Sequence, residues 1–230
     1  MSLEVEIHAD EKWAEVAANR LTETINGKER LCLATGSTMT PFYAAIAGKT
    51  GLDGLTIFLL DEFGGLPEDD PGRCETMIRR DLLSKATGRP RVRLPDVDAS
   101  DPDNEAARYG DLIGDGGLDL AIVGLGLNGH IGMNEPGSTA DLTTRVVELD
   151  SVTAENAASY GATETPTWGI TVGLAELLVA RELWLLVTGS RKREILRRAL
   201  DDPIGPDLPA TFLREHPNAA LFADESALGV

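Results

Sequence analysis

Leu118-Asp119-Leu120-Ala121-Ile122-Val123-Gly124-Leu125-Gly126-Leu127-Asn128-Gly129-His130-Ile131-Gly132-Met133-Asn134-Glu135 is the stretch on which the rest of the chain turns. Its first six residues have the apolar, partly β-branched make-up of a strand buried on both faces. The glycines at 124, 126 and 129 then let the chain turn sharply. Strands of this kind belong to parallel sheets covered by helices, and a loop leaving their carboxyl end is where open α/β sheets hold their ligands.

The neighbouring sequence repeats the pattern in both directions. Leu31–Ala34, Leu55–Leu60, Glu182–Thr188 and Ala219–Phe222 read as further apolar strands, with shorter ones in Pro90–Pro95 and Arg145–Leu149. Between them, Ala14–Ile25, Pro41–Ile46, Glu75–Ser84, Asp101–Leu112, Thr153–Ser159 and the segment opening at Gly189-Ser190 read as helices. The alternation predicts an α/β fold, a three-layer α/β/α sandwich with a mostly parallel, Rossmann-like central sheet. No shift in composition marks a linker, so residues 1–230 are expected to form a single domain.

A formal charge of −17 argues against nucleic acid and against an anionic membrane as partners, since both call for a basic face. Any phosphate site must then be local, built from backbone amides and one or two cations. Cys32 in an apolar strand and Cys74 in a polar segment read as reduced thiols. Met1 to Lys12 is acidic and lacks the apolar core of a signal peptide, and no apolar run is long enough to span a bilayer, so a cytoplasmic address is expected.

Gly124-Leu125-Gly126-Leu127-Asn128-Gly129 fits the dinucleotide fingerprint, and Glu148 sits near the ribose-binding distance. The fingerprint needs a helix opening at its third glycine, however, and Pro136-Gly137 stops any helix there. The competing reading makes His130 an acid/base group and Glu135 the carboxylate that orients it. Thr35-Gly36-Ser37-Thr38, between a strand and a helix start, suits either a phosphate or a simple helix cap. Asp61-Glu62, at the end of an apolar strand, reads either as a solvated strand end or as a base able to take a carbon-bound proton. Lys192 follows a similar strand-to-helix turn, in a basic cluster otherwise read as a solvated face. His216 sits near a helix end, where the dipole accounts for it, and Trp168 reads as packing. No His or Cys falls at metal-ligand spacing.

Asn128-Gly129-His130-Ile131-Gly132-Met133-Asn134-Glu135-Pro136-Gly137 resembles the active-site signature of the glucosamine-6-phosphate deaminase/isomerase family. The hydroxyl loop at Thr35, Asp61-Glu62-Phe63, Pro166–Leu174 and the tail from Pro209 resemble further family segments. The resemblance implies conversion of an amino-sugar 6-phosphate to a ketose phosphate with release of ammonia, with no cofactor and no metal. It also implies a catalytic set of Asp61, His130, Glu135 and Asn128, and a substrate and phosphate set of Thr35, Gly36, Ser37, Thr38, Glu62, Gly129 and Lys192. A sugar phosphate is the implied partner; a homo-oligomer is compatible with the sequence, which fixes no subunit number.

Two departures stand out. Asn128 occupies a position where some members carry an acid, which leaves the orienting charge to Glu135. Val146 to Ala180 holds no Lys or Arg, although deaminases usually carry a phosphate-binding arginine there, near Ser159 in this chain. The rival readings are lactone hydrolysis by the same histidine and a non-catalytic sugar-phosphate sensor.

Overall fold

The structure, a computed structural model, describes residues 4–8 and 12–229, with the side chains of 4–8 left aside. The reading of Met1 to Lys12 therefore lies half outside the described residues, which leave out 1–3 and 9–11. The chain runs β1 (Glu4–His8), α1 (Trp13–Thr24), β2 (Arg30–Leu33), α2 (Met39–Ile46), β3 (Thr56–Leu59), β4 (Asp61–Phe63), α3 (Cys74–Ile78), β5 (Arg91–Arg93) and α4 (Pro102–Gly114). It continues with β6 (Leu120–Gly124), β7 (Arg145–Glu148), α5 (Ser151–Asn156), β8 (Trp168–Thr171), α6 (Leu174–Leu178), β9 (Leu183–Val187), α7 (Arg193–Asp201), β10 (Ala219–Asp224) and α8 (Glu225–Leu228).

Seven strands form one sheet in the order β1-β10-β9-β6-β2-β3-β5, and each adjacent pair is parallel. β3 and β9 are buried along their whole length and β6 along all but its last residue. That burial is the reason their sequences are continuous apolar runs rather than alternations. Helices cover the sheet in the expected three-layer arrangement. Helix α1 buries Trp13, Ala17, Ala18 and Leu21, one stripe at helical spacing, and stops at Asn26-Gly27, where Gly27 takes a left-handed φ of 85°. Helix α4 opens on Asp101, whose carboxylate accepts the Asn104 N–H at 3.0 Å, with Pro102 in the first turn. No described helix is long and apolar enough to cross a membrane.

Strand order matters for function because chain order reverses across it. From β2 the chain moves outward through β3 to β5, then returns to β6 on the other side of β2 and proceeds outward again. The carboxyl ends of β2 and β6 therefore diverge, and a crevice opens between them.

Three features depart from expectation. Asp61–Phe63 is a strand rather than a strand end: β4 pairs antiparallel with β8, and β8 with β7, in a second, three-stranded sheet. A three-residue strand carrying two acids, paired with a segment far along the chain, has no local pattern to announce it. β1 is an edge strand, and its Glu-Val-Glu-Ile alternation carries a strand signal that the acidic composition of the terminus masks. His216 is buried, and its Nδ1 accepts the Asn218 N–H at 3.0 Å. Nε2 therefore carries the proton and donates to the Ala180 carbonyl at 2.9 Å, so this imidazole is a hydrogen-bond bracket, not a charge set against a helix dipole. Trp168 does pack, lying against Gly64, where an added Cβ would fall 2.1 Å from its ring.

Candidate active site

The crevice at the reversal point is lined by Ala34–Met39 after β2, Leu60 and Asp61 after β3, and Gly124–Leu127 after β6. His130 and Lys192 complete it from neighbouring loops, and Val152, Thr153, Asn156 and Tyr160 close it from α5 and the turn behind it.

The β6 loop holds its histidine from both sides. His130 Nδ1 lies 3.3 Å from Glu135 Oε2 and 2.9 Å from Thr153 Oγ1, and among the described residues Nε2 has no hydrogen-bond partner. Asn128 ties the pair together: its Nδ2 donates to Glu135 Oε2 at 2.9 Å and its Oδ1 accepts the His130 N–H at 3.2 Å. Burial pushes the Glu135 carboxyl up, but the hydrogen bond and charge of His130, with Thr153 and Asn128, outweigh it and hold the group below the usual carboxylate range. On the other face the imidazole rests against Gly126, where an added Cβ would lie 2.3 Å from Nε2. The loop is pinned to the small sheet: Met133 N–H donates to Thr171 Oγ1 at 3.1 Å, and the fully buried Asn134 donates to the Val172 carbonyl at 2.9 Å.

Asp61 faces His130 across the pocket. Its residue surface is partly open to the crevice while its carboxyl is enclosed, and burial pushes that carboxyl up to about 6. A hydrogen bond from the Cys74 thiol and the charge of His130 pull the other way, and Glu135 adds to the rise. The enclosure follows from β4, which carries Asp61 away from the open sheet edge into a pairing with Thr171. Glu62, on the opposite face of that strand, turns inward and accepts the N–H groups of Phe63, Cys74 and Glu75 at 2.7–2.9 Å. It caps α3 and so fixes where the Cys74 thiol stands beside Asp61.

The opposite wall is made of hydroxyls and amides. Thr35, Gly36, Ser37 and Thr38 lie at the start of α2, and the Thr38 and Thr188 hydroxyls are 3.2 Å apart. Lys192 reaches in from the turn before α7 and donates through Nζ to the Leu125 carbonyl. Burial, with Arg191 nearby, pushes its amine down to about 8.

Asp61, His130, Lys192 and the Thr35–Thr38 loop thus line one pocket, and Glu135 and Asn128 stand directly behind the histidine. Glu62 and Gly129 lie outside it. Glu62 is committed to its cap, and Gly129, at φ 89°, is packed so tightly that an added Cβ would meet Leu208 at 2.0 Å. Sequence reasoning passed over four lining residues: Cys74, Thr153, Asn156 and Tyr160. Helical spacing put Thr153 and Asn156 on one short segment, with Tyr160 just past its end, but nothing local said which face would meet the pocket.

A parallel α/β sheet with an enclosed carboxyl, a carboxylate-braced imidazole and a hydroxyl loop at its reversal point is an arrangement suited to proton transfer. The chain belongs to the glucosamine-6-phosphate isomerase/6-phosphogluconolactonase family, whose model matches residues 5–222. It is 38% identical to a glucosamine-6-phosphate deaminase of Rhodopirellula baltica, over 98% of this chain and 94% of that protein. It is 35% identical to one from Staphylococcus aureus, over 86% of this chain and 82% of that protein. Among solved structures, a monomeric glucosamine-6-phosphate deaminase superposes with a TM-score of 0.93 at 29% identity, each chain covered to 99%. A 6-phosphogluconolactonase from Trypanosoma brucei shares the fold, with a TM-score of 0.77 at 21% identity, 99% of this chain and 98% of that one being covered.

Proposed function

We propose that the chain converts a hexosamine 6-phosphate to the ketose 6-phosphate with release of ammonia. The observation that carries this reading is the placement of an enclosed Asp61, its carboxyl pushed up to about 6, across one pocket from the braced His130. In this reading His130 Nε2 moves a proton at the ring oxygen and opens the sugar, while Glu135 and Asn128 hold the imidazole. Asp61 then takes the proton from C2 and returns it to C1 through an enol-type intermediate. The double bond moves to the C2 nitrogen, and water replaces that nitrogen, so the ketose and ammonia leave. A carboxyl near 6 suits both halves of the shuttle, because it is ionised at neutral pH and still basic enough to hold a proton in transit.

The 6-phosphate sits on the Thr35–Thr38 loop with Lys192. The names of the deaminase relatives support this substrate class over a lactone. The test is ammonia release from glucosamine 6-phosphate and galactosamine 6-phosphate, run beside hydrolysis of 6-phosphogluconolactone. Ammonia release from at least one amino sugar, with negligible lactone turnover, is the expected result. Lactone turnover alone would overturn the reading.

A further inference from the structure

The pocket has a cation problem: the chain is strongly acidic, and Lys192 is the sole Lys or Arg among the described lining residues, with its amine already pushed down. Against the hydroxyl loop stands Tyr160. Its ring lies directly over Gly36, so that a Cβ built there would sit 3.4 Å from the phenolic oxygen. That oxygen accepts a hydrogen bond from Asn156 Nδ2 at 2.8 Å, which occupies a lone pair and leaves the O–H proton to be given away. Thr35 to Thr38, Asn156 and Tyr160 line the same pocket. We propose that Tyr160, oriented by Asn156, is a phosphate ligand that completes the Thr35–Thr38 cradle with a neutral donor where an arginine was expected. The proposal rests on the substrate class given above.

A phenol in this position has a property a lysine lacks. Burial raises the Tyr160 hydroxyl above its ordinary range, so it remains a donor at every pH at which the enzyme would work. Its contribution is a hydrogen bond to a charged acceptor, the kind whose loss weakens binding by ~10-fold or more.

Tyr160→Phe removes the donor and keeps the ring over Gly36. The test measures KM and kcat for the hexosamine 6-phosphate, and the dissociation constant of inorganic phosphate by calorimetry, on parent and variant. The expected result is a ~10-fold rise in both KM and the phosphate dissociation constant, with kcat within about twofold. A rise in KM with unchanged phosphate binding would overturn the proposal, because the phenol would then be touching the sugar. Unchanged KM and phosphate binding, or a fall in kcat alone, would overturn it equally. If no amino sugar is turned over, the phosphate arm still reads Tyr160 directly, so failure of the functional reading and failure of the ligand assignment remain distinct. A melting curve on the variant separates either from loss of fold.

Discussion

The two walls of the pocket are built in opposite ways. Gly126, Asn128, His130 and Glu135 belong to a single loop leaving β6, and their mutual contacts fix the imidazole before any substrate arrives. The facing wall draws Thr35–Thr38, Lys192 and Tyr160 from three distant segments, brought together by the packing of the sheet and its helices and tied by the Thr38–Thr188 hydroxyl contact. Protons tolerate no misplacement, whereas a phosphate accepts donors from many directions, and the construction follows that difference. Damage to the first wall is therefore expected in kcat, and damage to the second in binding.

Asp61→Asn is the strongest test of the proton-handling side, which Asp61 completes from β4 across the pocket from the His130 loop. It removes the carboxyl that would carry the C2 proton, and kcat is expected to fall by ~10²-fold or more. Stability should move the other way. An unfolded aspartate titrates near 4 and this one near 6, so the folded state binds more protons between those values, and stability declines as pH rises through the window. Above about pH 6 the fold carries the full cost of the enclosed charge, ~3 kcal/mol at most. The uncharged amide escapes it, so the variant should melt higher than the parent at pH 7.5, the advantage shrinking toward pH 4. An inactive variant with no gain in melting temperature would mean that the carboxyl is not held up by burial.

Gly126→Ala comes next. Its added methyl would overlap the His130 ring, and because Gly126 keeps an ordinary φ the effect is displacement of the imidazole rather than backbone strain. A loss of ~10-fold or more in kcat, with KM little changed, is expected. A kcat within twofold of the parent would show that the histidine has room to move, and would blur the contrast between the walls.

The same contrast explains what was legible in the sequence. The central strands were readable because burial on both faces leaves unbroken apolar runs such as Leu-Trp-Leu-Leu-Val in β9. The His130 loop was readable because Asn128 and Glu135 lie within ten residues of one another, whereas Thr153, 23 residues beyond the histidine, was not. β4 was not, since Asp61 and Glu62 diverge to opposite faces only through pairing with β8, and it is that divergence which makes one acid a pocket group and the other a helix cap. Tyr160 escaped for a related reason: sequence comparison showed where a cation was absent, and only packing could show that a phenol lies over Gly36 instead.

Lys192 gives the smallest and most discriminating effect. Lys192→Ala should raise KM for the 6-phosphate ~10-fold and leave kcat nearly unchanged, since in the proposed reading the ammonium gives the phosphate a charge-assisted hydrogen bond and takes no part in the proton transfers. The parent can be pushed toward the same state by pH. kcat/KM reports groups of the free enzyme, so its acid limb should follow Asp61, which must lose a proton near 6, and its alkaline limb Lys192, which must keep one below about 8. Each wall thus owns one limb. In Lys192→Ala the alkaline limb should flatten up to pH 9 while the acid limb stays in place, because the raised hydroxyl of Tyr160 holds its proton throughout that range. An alkaline limb that survives the substitution, once the titration of the substrate's own amine is subtracted, would assign it to a group on the other wall, and the division of labour between the two would have to be redrawn.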